Sequence, residues 1–269
     1  MTGVPSETLR YLYGIVPASA PVPPPVLRGV SDSPVRLLEV GPLAAIVSDV
    51  AATDYDEAAI AAGLSDVRWA GARAAEHERV LTWFVDHTTV VPSTPFSLHA
   101  SDERVRTRLD EQRELLHDSL RRLAGHQELG VRIWRDEETF AGRLLELSPA
   151  LSALEAERRG AAPGRRYLLG RRIGALRAEE AERVTADAIA SAYADLSGAA
   201  ERAQALPIPP TDREGRSRTL VLDAVFLVAE SSGEAFRRVV KRWMDEQRQA
   251  GLEWEFTGPW PAYHFVRDE

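Results

Sequence analysis

The one place where this sequence concentrates side chains able to hold an anion is a run of arginines: Arg158, Arg159, Arg165, Arg166, Arg171, Arg172 and Arg177. A guanidinium presents a rigid fork of donors that suits carboxylate and phosphate, so the run could serve an anionic substrate or a nucleic acid. Glu155, Glu157, Glu179, Glu180 and Glu182 flank it. Spacings of three and four along a helix let such residues neutralise one another in place, and a solvated, ion-paired helix face is the expectation. Gly170 and Gly174 have the spacing of a membrane dimer motif, but the arginines around them exclude a bilayer, which leaves close helix packing as their expected meaning. The chain has no cysteine, which removes disulfides, thiolate nucleophiles and thiolate metal sites together and fits a reducing cytoplasm. No phosphate-binding loop, nucleophile elbow, zinc-protease helix or dinucleotide fingerprint occurs. His77, His87, His99, His117, His126 and His264 lack metal-ligand spacing. The pairs Glu137-Glu138 and Glu179-Glu180 are adjacent, so on a helix they diverge. The expectation is a non-enzyme with no catalytic residue, no metal site and no cofactor. An enzyme or anion-binding module built on Arg158 to Arg177 is the alternative.

Two further features invite a functional reading. His77 lies on an apolar helix face between Glu76 and Glu78, with no second ligand one turn away, so a buried histidine with its hydrogen bonds met is expected. The C-terminal stretch is the other. Trp254, Phe256, Trp260, Tyr263 and Phe265 crowd into it, in a chain that is only 7% aromatic. Gly258 permits an unusual turn, while Pro259 and Pro261 fix φ and remove amide donors. Such a tail is either a strap that fills a core with rings or a docking surface, since aromatics anchor interfaces. Two prolines rigidify a segment to good effect only if its position is fixed, so Trp260 is expected to be clamped against the core.

Composition sets the class. A hydrophobic fraction of 44% and a charged fraction of 28% over 269 residues suit a globular protein of one large or two modest domains. A net charge of −8 argues against a general nucleic-acid binder. The apolar stretch after Arg10 is too short for a secretory signal. The most apolar run, Leu220 to Ala229, is interrupted by Asp223 and falls short of a membrane span. A soluble, non-secreted protein is expected.

The elements that must position these residues follow from periodicity. Leu9 to Val16 reads as a strand, and Pro21 to Pro25 as a stiff connector. Val35 to Val40 and Leu43 to Val50 form a hairpin about Gly41-Pro42. Val67, Ala70, Ala74, His77, Leu81 and Phe84 predict a helix from about Ser65 to Asp86. An extended piece from Val90 to Phe96 leads to a helix capped by Ser101, with stripe Val105, Leu109, Gln112, Leu116 and Leu123, ended by Gly125. Leu129 to Trp134 is a strand. Asp136 caps a helix with stripe Phe140, Leu144, Leu147, Leu151 and Leu154, broken near Pro149. A long helix then runs through Val184, Ala188, Ala192, Leu196 and Ala203 and stops before Pro207. Thr211 to Arg218 is a charged loop, and Leu220 to Ala229 a strand fit for a sheet centre. A helix after Ser232-Gly233 turns Phe236, Val239, Val240, Trp243 and Met244 inward, and Leu252 to Phe256 is the last strand. The fold class expected is α+β in two domains: a small mixed one over residues 1–126, and a ferredoxin-like one over 127–269 with a long helical insertion and the aromatic tail.

Several segments carry a family likeness. Gly258-Pro259-Trp260-Pro261-Ala262-Tyr263-His264-Phe265-Val266 resembles the closing signature of the GvpF/GvpL gas vesicle family, with Ala262 where a second proline is usual. Tyr11-Leu12-Tyr13-Gly14-Ile15-Val16 is similar to that family's opening. His77 with Pro92-x-x-Pro95-Phe96 resembles its histidine helix and proline element, with Thr94-Pro95 replacing a basic pair and Ser97-Leu98 replacing Gly-Thr. Glu128-Leu129-Gly130-Val131-Arg132-Ile133 resembles its central strand, with Leu129 in place of Trp, and Arg165 to Arg172 its Gly-x-Tyr-Leu element. The resemblance implies a non-enzymatic accessory or minor structural component of gas vesicle assembly, placed at the vesicle in the cytoplasm. It also implies the small hydrophobic major shell protein and other accessory proteins as partners, and neither nucleic acid nor membrane.

Overall fold

The computed structural model describes residues 8–209 and 217–266. Contacts divide the chain into two compact units. One gathers the residues up to Gln127 together with those from Trp260 onward; the other is Glu128–Pro259. The tail expected to close the second half therefore groups with the first.

In the first unit, β1 (Thr8–Pro17), β2 (Val35–Val40) and β3 (Leu43–Ala51) form the body of a sheet. Next come α1 (Ala52–Tyr55), α2 (Glu57–Leu64), α3 (Val67–Val85), the short strands β4 (Val91–Pro92) and β5 (Leu98–His99), and helices α4 (Asp102–Glu111) and α5 (Arg113–Leu123). The strand order is β2-β3-β1-β4, with β5 also on β1. The expected hairpin holds: Val40 pairs with Leu43, and Gly41 turns at φ +58. Antiparallel pairing of β1 with β3 slips register between Leu12 and Gly14. At that point a side chain on Gly14 would meet the Val91 carbonyl oxygen at 2.8 Å. The core is sheet against helix: Tyr11, Tyr13, Val16, Ala44 and Ile46 meet Val80, Leu81 and Phe84.

Two helices differ from expectation. Only the second half of α3 is buried, through His77, Val80, Leu81 and Phe84, while Val67 at its start is 85% exposed. The apolar period thus continues past the part of the helix that has a core to face. The single helix expected after Ser101 is two, because Gln112 departs from helical geometry (φ −109, ψ 13) between α4 and α5. Ser101 caps α4 through the Arg104 amide, and Gly125 takes φ +70 after α5.

The second unit contains β6 (His126–Asp136), α6 (Glu137–Leu147), α7 (Pro149–Gly160), α8 (Pro163–Gly198), β7 (Arg202–Ala205), β8 (Arg218–Ala229), α9 (Gly233–Gln247) and β9 (Leu252–Trp260). The outermost residues of β6 and β9 fall in the first unit. The sequence of elements is β-α-β-β-α-β and the sheet order is β7-β8-β6-β9. That is the ferredoxin-like arrangement, with α6 to α8 standing where one helix suffices. Strand β7 replaces the helical end expected to reach Ala203: Arg202 to Ala205 pair antiparallel with Leu227 to Ala224. Of the charged loop expected after it, residues 211–216 lie outside the described residues. Leu129, Val131 and Ile133 of β6 and Leu222, Ala224, Phe226 and Val228 of β8 alternate into one core. They meet Phe140, Leu144, Leu151, Leu196, Phe236 and Val240 from the helices.

Because each unit has its own core, we propose that they are separate folding domains. A fragment spanning 128–259 is expected to show native-like circular dichroism and one sharp thermal transition on its own. A fragment without a cooperative transition would mean that the two halves form a single folding unit.

Candidate functional site

The tail is built from both ends of its sequence. Trp254 and Phe256 pack on the second unit's core. Trp254 stacks near-parallel on Trp243 with centroids 6.5 Å apart, and Phe256 lies 6.4 Å from Phe236. Gly258 then adopts φ +105, a backbone that side chains resist, and an added Cβ would sit 2.8 Å from the Glu128 carbonyl oxygen. Its peptide bond to Pro259 is cis. Beyond it, Pro261, Ala262 and Phe265 are buried, and Tyr263 packs on the first unit's core. The Tyr263 hydroxyl donates to Glu78 Oε2 at 3.2 Å. The Ser119 hydroxyl and Arg122 Nη2 reach the Val266 carbonyl at 2.8 and 3.0 Å. Residues 261–266 are therefore strapped down, as one of the two readings expects. Trp260 is not clamped as expected: it is 41% exposed, while the flanking Pro261 and Ala262 are buried. The prolines fix the path of the chain without turning this ring inward.

The first unit also holds a polar centre that the sequence reading did not assemble. Tyr11 and Tyr13, two apart on β1, point to the same face and meet His77 of α3, with ring centroids 5.7 and 5.4 Å from it. Phe96 N donates to the Tyr11 hydroxyl at 3.0 Å, and the same hydroxyl hydrogen-bonds His77 Nδ1 at 3.1 Å. Val30 N donates to the Tyr13 hydroxyl at 2.8 Å, and Tyr13 donates to Ser48 Oγ at 3.1 Å. Ser48 passes its proton to the Pro34 carbonyl at 2.8 Å. Gly29 makes the room: a Cβ there would overlap the Tyr13 hydroxyl. Burial pushes His77 down to about 4, against a weaker pull from the Ser93 backbone. Burial likewise raises Tyr11, and lifts Tyr13 to about 12 against its hydrogen bonds to Ser48 and from Val30. At neutral pH all three rings are uncharged. Of the two ring nitrogens of His77, expected to have its hydrogen bonds met, Nδ1 has a partner in Tyr11 while Nε2 is buried without one among the described residues. Phe96 is held at φ +64 and stacks flat on Trp69 at 5.5 Å. The visible clue was the Tyr-x-Tyr alternation, but only the fold brings α3 beneath it.

The arginine run is ion-paired at its start and bonded to backbone carbonyls further on. Arg158 and Arg159 meet Glu155 at 2.8 and 3.6 Å, and Arg165 pairs with Glu157. Arg166 and Arg177 donate to the carbonyls of Ala161 and Ala141. Gly170 and Gly174 do not mark close packing: a Cβ at Gly174 would meet open space, and at Gly170 only Arg158 Cδ at 3.9 Å. A cleft of about 810 Å³ lies between α8 and β8 and draws on none of these arginines. Its polar end is Arg135, which donates to Glu137 Oε1 and Thr185 Oγ1 at 3.0 Å each and lies 3.0 Å from Glu182. These residues stand far apart in sequence, so no spacing could have announced them. Among the described residues no group of three His, Asp or Glu side chains is gathered as a metal site.

Comparison with known proteins adds a finding to this geometry. Residues 9–267 match the family described as gas vesicle synthesis protein GvpL/GvpF. Gas vesicle protein L of Streptomyces sp. (strain CB03234) is 30% identical over 262 residues, covering 97% of this chain and 94% of that protein. Gas vesicle protein F of the same strain is 29% identical over 263 residues, covering 95% and 98%. The crystal structure of gas vesicle protein GvpF from Anabaena sp. PCC7120 superposes with a TM-score of 0.71 at 20% identity, over 97% of this chain and 99% of that one. GvpF from Microcystis aeruginosa gives 0.66 at 22%, over 96% and 99%. At those identities the two crystal structures speak to the fold.

Proposed function

We propose, starting from the fact that this chain belongs to the gas vesicle synthesis protein GvpL/GvpF family, that it binds the major shell protein and supports vesicle assembly without catalysis. The observation that carries this reading is the extent of the match: relatives named as gas vesicle proteins align over 95–97% of this chain and 94–98% of their own length. The physical task is to shield a subunit that exposes apolar surface before it is built into a shell, since such surfaces aggregate when left in water. Other accessory vesicle proteins are further partners, and the vesicle in the cytoplasm is the place of action. A net charge of −8 disfavours nucleic acid as a partner. Among the described residues no helix is long and apolar enough to cross a membrane.

The alternative, an enzyme or anion-binding module using Arg158 to Arg177, needs those arginines to converge on a cleft. Their carboxylate partners and their absence from the 810 Å³ cleft count against it. Tagged protein mixed with shell protein at physiological salt is expected to retain it on the resin. Recovery of neither shell protein nor any other vesicle protein would overturn the reading.

A further inference from the structure

The first turns of α8 present a face that the rest of the unit leaves uncovered. Leu169 and Ile173, four apart, turn inward and are buried. The opposite side therefore faces out: Tyr167 is 67% and Leu168 65% exposed. A single exposed leucine needs no explanation, but this aromatic and leucine are neighbours with cations one turn on. Leu168, Arg171, Arg172 and Ala175 follow at helical spacings of three and four, and Tyr167 is four residues from Arg171. The result is one continuous strip, apolar at the start of the helix and basic a turn later.

The two arginines are the informative part. Of the same helical pair, Arg158, Arg159, Arg165 and Arg183 have a carboxylate partner, and Arg166 and Arg177 a backbone carbonyl. Arg171 and Arg172 are exposed and have none among the described residues. Their helix cannot supply one. The positions three and four away from Arg171 are Leu168, Tyr167, Gly174 and Ala175, and those around Arg172 are Leu169, Leu168, Ala175 and Leu176. Exposed arginines without a carboxylate partner among the described residues also occur on α4, at Arg104 and Arg108, but that helix has no exposed large apolar side chain. Arg171 and Arg172 stand beside exposed Tyr167 and Leu168, a combination that suits an apolar segment carrying carboxylates. Tyr and Arg are also the side chains most often found as anchors of interfaces.

We propose that Tyr167, Leu168, Arg171 and Arg172 form the docking face for the shell protein, taking from it an apolar segment that carries carboxylates. This rests on the shell-binding reading and adds to it where on the chain the contact lies and the chemistry of the segment that makes it.

The test uses the full chain and purified, solubilised shell protein. Tyr167→Ser with Leu168→Ser, and separately Arg171→Glu with Arg172→Glu, are each expected to weaken binding roughly tenfold or more while leaving the melting temperature in place. The charge-reversed pair should also lose most of the salt dependence of binding. As the chain lacks cysteine, Tyr167→Cys places a single thiol for crosslinking on this face, and Val67→Cys on α3 serves as an exposed control. Crosslinks to shell protein are expected from the first and not from the second. Wild-type affinity in both double variants, or crosslinks from Val67→Cys alone, would overturn the proposal while leaving shell binding intact. A wild-type chain that fails to bind shell protein would overturn both. Capture of RNA or anionic vesicles that Arg171→Glu with Arg172→Glu abolishes, with shell affinity unchanged, would assign the face to another occupant and reject ours.

Discussion

Phe265→Ala is expected to destabilise the first unit by about 3–5 kcal/mol, the cost of removing a buried ring and leaving its space behind. Phe265 is 2% exposed, deep in a segment whose far end is tied by Ser119 and Arg122 to the Val266 carbonyl. Against a typical domain stability of about 5–15 kcal/mol, this is enough to lower the melting temperature by many degrees. Trp260→Ala, five residues earlier, should cost far less, because much of that ring already faces water. Denaturant titrations of the two variants decide the matter. Equal losses would show that Trp260 holds the strap as firmly as Phe265, and the account of the tail given above would fail. Shell-protein affinity of the same pair adds a second reading: a purely structural anchor weakens binding only as far as it lowers the folded fraction.

Acidification from pH 7 to pH 4 is expected to remove about 3 kcal/mol through His77 alone, at about 1.4 kcal/mol per pKa unit. The imidazole takes up a proton near 6.5 when free of the fold and near 4 within it. Between those values the unfolded chain holds the extra proton, so stability falls as pH drops. The contribution is complete above about 6.5 and lost below about 4. Structure explains the low value: the ring is 1% exposed, and Nδ1 faces the Tyr11 hydroxyl rather than a carboxylate. His77→Gln removes the titration while keeping an acceptor for Tyr11. Stability against pH for this variant should lie flatter than wild type between 6.5 and 4. Parallel curves would show that His77 does not titrate in that window.

What the sequence made readable was periodic and local. The hairpin about Gly41-Pro42, the apolar run that became β8, and the helix carrying Phe236 and Val240 all signal themselves within a dozen residues. Strand β7 does not, since Arg-Ala-Gln-Ala has little strand preference and continues a helical alanine pattern; its conformation comes from pairing with β8. The stripe through Val67 and Ala74 misled for the opposite reason, because period says which side of a helix is apolar but not how far the core beneath it extends. Trp260 misled because rigidity was taken as burial. The strap's anchors, from Glu78 and Ser119 to Tyr263 and Val266, are separated by well over a hundred residues and became visible only in three dimensions.

The strap also sets an order of events during synthesis. The first unit draws on residues both before Glu128 and after Pro259, so it cannot be finished when its own sheet and helices have left the ribosome. Everything needed for Glu128–Pro259 emerges earlier, reversing the usual tendency of amino-terminal domains to be completed first. A nascent chain stalled at Pro259 should carry a protease-resistant second unit beside a first unit still open at the place where Phe265 belongs. Only the emergence of residues 261–266 would let Phe265 take its buried place and Val266 meet Ser119 and Arg122.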